Sequence, residues 1–413
     1  MLVGALLETY RRSPDKVAVA DPTRELSFRR LAVLASVVKG IVSRETSCAR
    51  IGIMLPASAV FPAVFMGVSW ALRTVIPLNF LLSPGELSRI VENAALDLII
   101  TVRHFEQLAT RLGPRVLVLE DLNLKRRLLL RMVLPLPPAP RVDADETAVI
   151  LYTSGTSSEP KGVELTQSNL HSNCVDTIHS LNMDENQKFL NVLPPFHVFG
   201  LTANVLVPIV LGASVFAIPR FSPAAVVRAV RSQRISVLLA IPSMYAAILK
   251  LKSARSDSFR DVRLAVSGGE PLPESVRIGF KERFGVVLRE GYGLTETSPV
   301  VTACPADADR AGSVGKPIRN VEIRIVGAEG QPLAPGEAGE ILVRGPGVMK
   351  GYFRNREETR RVLDRDGWFR TGDIGSFDAD GFLSLTGQCK EMLIIGGENV
   401  FPREIEAVLE EHE

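Results

Sequence analysis

Short apolar runs closed off by charged or turn-forming residues recur along the chain, and longer amphipathic stretches separate them. Residues 17–20, 50–54, 74–77, 98–101 and 115–119 read as strands, and 61–72 and 86–93 as helices between them. Residues 149–152 form a further apolar strand that gives way to a hydroxyl-rich loop. The alternation then resumes with helices at 224–233, 243–251 and 274–284 and strands at 237–240 and 264–267. Helices placed between strands imply parallel sheets covered on both faces, so two such sheets are expected. Beyond Gly291 the texture changes to short extended runs at 322–326, 339–344 and 382–386, broken by Gly and Pro. That pattern predicts a small antiparallel part. The expected fold is α/β, with two helix-covered, mostly parallel sheets and a small β-rich subdomain.

Residues 189–219 carry no Asp, Glu, Lys or Arg, enough by length for a membrane span of roughly 20 residues. Pro194, Pro195, Gly200, Pro208 and Gly212 interrupt it, so a strand ending at Leu193, a loop, a buried helix and a strand at 214–218 are expected instead. The segment 122–140 mixes Lys125, Arg126, Arg127 and Arg131 with Leu128, Leu129, Leu130, Met132 and Val133 before a proline-rich tail. A basic amphipathic element at an anionic membrane surface and a linker helix with its arginines in water both fit, and the shortness of the segment favours the linker.

Composition narrows the class. With 413 residues the chain exceeds one compact core, and a net charge of +2 gives no sign of a nucleic-acid partner. Cys48, Cys174, Cys304 and Cys389 show no paired spacing, which argues against a disulfide framework or a zinc site and fits a reducing cytoplasm. The N-terminus places its charges after a short apolar stretch, unlike a signal peptide.

Candidate chemistry begins with Thr153, Ser154, Gly155, Thr156, Ser157 and Ser158, followed by Pro160, Lys161 and Gly162. Such a loop turns backbone N–H groups and hydroxyls toward one polyanion, while Lys161 adds a point charge. No Gly-Lys-Ser/Thr opens a helix here, so the P-loop NTPase arrangement does not apply. A solvated surface turn has the same composition, and other stretches must decide. In LAVSGGEPLP, two glycines after a strand suit close backbone approach to a flat ligand. In EGYGLTETSP, a Gly-Tyr-Gly turn is expected to present Tyr292 to a purine, and Glu296 offers carboxylate oxygen to a hard cation such as Mg²⁺.

Together YTSGTSSEPKG, SGGEP, EGYGLTE, WFRTGDIG and LIIGGENVFPREIE resemble, in order and separation, the motifs of the AMP-forming adenylate ligase superfamily. PLN at 77–79, PPFHVFGL at 194–201 and GYF at 351–353 look most like fatty acyl-CoA or acyl carrier protein ligases. The resemblance implies ATP and Mg²⁺ as cofactors, a fatty or other carboxylic acid as substrate, and CoA or a carrier-protein phosphopantetheine as acceptor. It implies that Thr153 to Ser157 and Lys161 grip phosphates, with Thr156 and Glu296 at the metal and Thr295 beside it. Gly269, Glu270 and Pro271 match the segment on one face of adenine, Tyr292 the ring on the other within Glu290, Gly291 and Gly293, and Asp373 the carboxylate for the ribose. His197, with Val198, Phe199, Gly200, Gly268 and Gly293, matches the acyl site.

Three departures stand out. Ser158 replaces a usual glycine, and Gln388 occupies the position of an arginine. Residues 1–387 then read as a large adenylation domain with its β-rich part in 291–387, and 388–413, with Lys390 as hinge, as the start of a truncated C-terminal domain. Two other classes fit the residues: a non-catalytic nucleotide- or acyl-binding module, and an amino-acid-adenylating domain. The latter needs an acidic pocket residue, and 197–205 offers none.

Overall fold

The computed structural model describes residues 1–153, 160–305, 308 and 310–388, together with the backbone of two short paired strands, Leu393–Ile395 and Glu398–Val400. Two large sheets dominate. In the seven-stranded sheet the order is Gly351–Tyr352, Lys161–Thr166, Thr147–Thr153, Thr74–Pro77, Arg50–Met54, Leu98–Thr101, Arg115–Val118. In the nine-stranded sheet it is Lys316–Pro317, Val300–Ala303, Leu288–Gly293, Leu264–Ser267, Val237–Ala240, Lys188–Asn191, Ser214–Ala217, Val17–Asp21, Arg24–Ser27. The inner strands of both are parallel, as is the edge pairing of Leu98–Thr101 with Arg115–Val118, and the other outer pairings are antiparallel. This is the expected α/β architecture of two helix-covered sheets with a small β-rich part.

Alternation along the strands explains the layering. Leu239 and Val266 point into one apolar cluster and Leu238, Ala240 and Ala265 into another, so the nine-stranded sheet is buried on both faces. The first of these clusters also takes Ile51, Ile53, Val75 and Val149 from the seven-stranded sheet, whose other face packs Met54, Ile76, Ile99 and Ile150. One core therefore lies between the two sheets. Helices Leu2–Arg12, Phe28–Glu45, Phe61–Trp70 and Val207–Leu211 contribute to it.

Several elements depart from the sequence expectation. Tyr292 lies on strand Leu288–Gly293 and not on a turn, because residues 291–293 pair antiparallel with Val300–Ala303. The N-terminal strand Val17–Asp21 joins the second sheet through Ser214–Ala217, although the strands that follow it build the first. The separate antiparallel sheet, Glu322–Val326, Gly339–Arg344, Phe369–Phe377 and Leu383–Gln388, begins only at Glu322. The uncharged tract holds strand Lys188–Asn191, a helical turn Val198–Leu201, a π-helical turn Thr202–Leu206 and helix Val207–Leu211, all short and largely buried. Among the described residues no helix is long and apolar enough to cross a membrane.

Candidate active site

The hydroxyl loop sits on a β-hairpin. Strand Thr147–Thr153 pairs antiparallel with Lys161–Thr166, and Thr153 faces Lys161 across the base. Ser154, Gly155, Thr156, Ser157 and Ser158 lie outside the described residues, as does Lys390. Lys161 is fixed by register, and its ammonium donates to Glu358 Oε1 at 2.6 Å and stands 5.7 Å from the centre of the Tyr352 ring. The Tyr352 hydroxyl in turn donates to Glu296 Oε1 at 2.8 Å. Lys161, Glu358, Tyr352 and Glu296 form one polar chain drawn from segments far apart in sequence.

Glu296 occupies the single turn Thr295–Thr297, and the protein holds that turn firmly. The Thr297 hydroxyl donates to the Pro299 carbonyl at 2.6 Å, Asn173 Nδ2 donates to the carbonyls of Thr297 and Val300, and Met349 N donates to the Glu296 carbonyl at 2.8 Å. Gly293 enters the turn so closely that a Cβ there would lie 1.9 Å from the Pro299 carbonyl oxygen, which only glycine avoids. Burial raises the Glu296 pKa, opposed by the Tyr352 hydrogen bond and the Lys161 charge and reinforced by the Asp373 charge.

A second network lies within electrostatic range of the first. Asp373, 6% exposed on strand Phe369–Phe377, accepts from the Tyr292 hydroxyl at Oδ2, 2.6 Å, and from Gln388 Nε2 at Oδ1, 2.9 Å. Register explains the second contact, since Asp373 and Gln388 are paired across the sheet. The Tyr292 ring packs with Val301, Val314, Ile341 and Leu383, and it is only 9% exposed. Burial and the adjacent Asp373 carboxylate raise its phenol pKa far above the ordinary range, so it acts as a hydrogen-bond donor.

Gly269, Glu270 and Pro271 lie exposed after strand Leu264–Ser267. Glu290 ties this segment to the next strand, its Oε2 accepting from Leu272 N at 3.3 Å. Gly268 faces the Phe199 ring and the Gly291 carbonyl, with a Cβ position 3.4 and 3.5 Å from them. Val198, Phe199 and Gly200 belong to the turn that His197 caps. His197 packs on Phe196, ring centres 4.8 Å apart, and Phe196 meets Phe80 edge-on at 5.0 Å. His197 is exposed at the surface, yet the protein around it desolvates the imidazole enough to lower its pKa below the usual 6.5. Sequence reasoning found Tyr292, Asp373 and Gln388, both ends of the second network's contacts, but of the first it found only Lys161 and Glu296, touching Tyr352 through the GYF motif alone and missing Glu358.

Residues 6–353 match the AMP-binding enzyme family. The chain belongs to that family. It is similar to a feruloyl-CoA synthase of Amycolatopsis sp., 33% identical over 403 residues that cover 96% of this chain and 80% of that protein. A long-chain-fatty-acid–CoA ligase of Bacillus subtilis (strain 168) is 30% identical over 461 residues, covering 100% and 81%. Among solved structures, the anthranilate CoA ligase AuaEII in complex with anthranoyl-AMP superposes with a TM-score of 0.91 at 26% identity, covering 100% of this chain and 81% of that one.

Proposed function

We propose that this family member is an acid–CoA ligase that works through an acyl adenylate. A carboxylate oxygen of the acid attacks the α-phosphorus of ATP and pyrophosphate leaves with the bond electrons. The thiol sulfur of CoA then attacks the acyl carbon, AMP leaves, and the thiol proton passes to solvent. Such chemistry needs positioning and charge neutralisation more than a nucleophilic side chain. The observation that carries the reading is the pair of neighbouring networks, Lys161–Glu358 with Tyr352–Glu296, and Tyr292–Asp373–Gln388.

Within it, Lys161 takes phosphate oxygens beside the hydroxyl loop, and Asp373, with an acceptor oxygen on each side, takes the ribose diol. The contacts from Tyr292 and Gln388 hold each oxygen of Asp373 in a fixed orientation. Glu296 offers the hard oxygen that Mg²⁺ prefers, and with Thr156 it would hold that ion against the phosphates, where the ion neutralises charge. Among the described residues no group of three or more His, Cys, Asp or Glu side chains forms a metal cage. A magnesium held largely by substrate phosphates suits that arrangement.

The acid binds by His197, Val198, Phe199, Gly200, Gly268 and Gly293, and the apolar tract behind them suits a fatty chain. A second reading, an aromatic acid, is favoured by the ring cluster of Phe80, Phe105, Phe196 and His197. The feruloyl and anthranoyl substrates named for two relatives point the same way. Incubation with ATP, Mg²⁺ and a panel of fatty, hydroxycinnamic and benzoic acids, followed by mass spectrometry for acyl-AMP and then acyl-CoA, tests both readings. Absence of adenylate with every acid, alongside measurable ATP binding, would leave only a binding module.

A further inference from the structure

Helix Leu124–Met132 and the residues after it present a surface unlike the rest of the molecule. Its inner side is anchored, with Leu124, Leu128 and Leu136 on the central core and Arg131 Nε donating to Ser36 Oγ at 3.0 Å. Trp70 Nε1 fixes the tail by donating to the Pro138 carbonyl at 3.0 Å. The outer side carries Leu129, Leu130, Met132, Val133 and Leu134, between 40% and 82% exposed. Among the described residues the other exposed large hydrophobics, Met1, Leu72, Leu81 and Ile278, are scattered singly, so the cluster is not ordinary surface.

Charge says what covers it. Lys125, Arg126, Arg127, Arg131 and Arg141 fall in a stretch, 122–142, that holds no Asp or Glu, so the segment is more positive than the whole chain at +2. The carboxylates just before it, Glu120 and Asp121, are engaged by Arg103. Among the described residues no carboxylate pairs with Lys125, Arg126 or Arg127. A second copy of the chain would bring like charges face to face. An anionic bilayer supplies both counterparts, acyl tails for the leucines and headgroup phosphates for the cations. We propose that this surface docks the protein on anionic membranes, the helix lying in the interface. This favours docking over the linker reading: the leucines that a linker would tuck inward face outward, and the segment's half-buried inner side already packs against helix Phe28–Glu45. The proposal rests on the surface alone and stands whichever acid the enzyme takes.

The test is flotation of the full chain with vesicles of phosphatidylcholine alone or of equal parts phosphatidylcholine and phosphatidylglycerol. Binding is expected only to the second, weakening as salt is raised. Leu130→Asn with Val133→Asn, and separately Lys125→Glu with Arg126→Glu, should each lower partitioning at least about tenfold. Unaltered thermal melting shows that these variants fold. No binding to the anionic vesicles, or variants that bind as well as the parent, overturns the proposal. So does a concentration-dependent dimer, seen by light scattering, that the Asn pair abolishes while vesicle binding stays absent.

Discussion

Replacing Glu358 with alanine should tighten ATP binding. Lys161 Nζ lies 2.6 Å from Glu358 Oε1, and the two side chains are 30% and 22% exposed, so solvent screens the pair only in part. Glu358 also sits in the first turn of helix Arg356–Val362, where Asn355 Oδ1 caps its amide and the helix end favours a negative charge. Arg361 stands 3.6 Å from its other oxygen, so the carboxylate keeps a cation when Lys161 leaves. A charge-assisted contact of this exposure is worth about 1–2 kcal/mol. A phosphate that recruits Lys161 must offset that contact, and removing it should tighten the dissociation constant by about five- to thirtyfold. Isothermal titration with MgATP is the assay, run on the parent, Glu358→Ala, Lys161→Ala and the double variant. Competition predicts tighter binding for Glu358→Ala, weaker for Lys161→Ala, and a double variant equal to Lys161→Ala. If Glu358→Ala weakens ATP as Lys161→Ala does, Glu358 aims the lysine instead of competing for it, and the reasoning fails.

Tyr292→Phe removes the donor to a buried carboxylate and should cost about 1–3 kcal/mol in urea unfolding, with a raised KM for ATP. Gly293→Ala, with its Cβ 1.9 Å from the Pro299 carbonyl oxygen, should lower stability by more than about 2 kcal/mol, whereas Gly85→Ala, with nothing within 4 Å, should change little. An NMR titration should place the His197 midpoint below 6.5, leaving the ring neutral at pH 7. The sign follows: the unfolded chain takes up this proton first, so the stability the residue contributes is present above 6.5 and is lost as acidification proceeds to the folded midpoint.

Strands such as Arg50–Met54, Val237–Ala240, Leu264–Ser267 and Glu322–Val326 were legible because a strand inside a sheet is a short apolar or alternating run with a clear end. Helix Gln167–Ser180 was not legible, for a physical reason. Its buried residues include Asn173 and Asp176, polar side chains kept inside by partners more than a hundred positions away, as Asn173 holds Val300 and Asp176 holds Asn320. A hydrophobic pattern cannot register such burial. Helix Phe28–Glu45 failed the opposite way, since eleven of its residues are buried and its amphipathic stripe is blurred. Sheet membership was equally hidden, because Val17–Asp21 finds its parallel partner at Ser214–Ala217.

The candidate site divides along the same line. Lys161, Glu296 and Asp373 stand out in sequence because each sits in a motif rich in glycine or hydroxyls, where an ionisable group has few core-packing explanations. Their partners Tyr352 and Glu358 do not, since each is an ordinary residue until a fold sets it 2.6 to 2.8 Å from a charge. Gln388 shows why partners decide behaviour. Its neutral amide satisfies Asp373 Oδ1 but leaves the carboxylate charge in place, and that charge helps to raise the Glu296 pKa. An arginine at the same register position would hold the oxygen and cancel the charge as well. The carboxylates of Asp373 and Glu296 are therefore coupled through that charge, and an arginine at the register position of Gln388 would weaken the coupling.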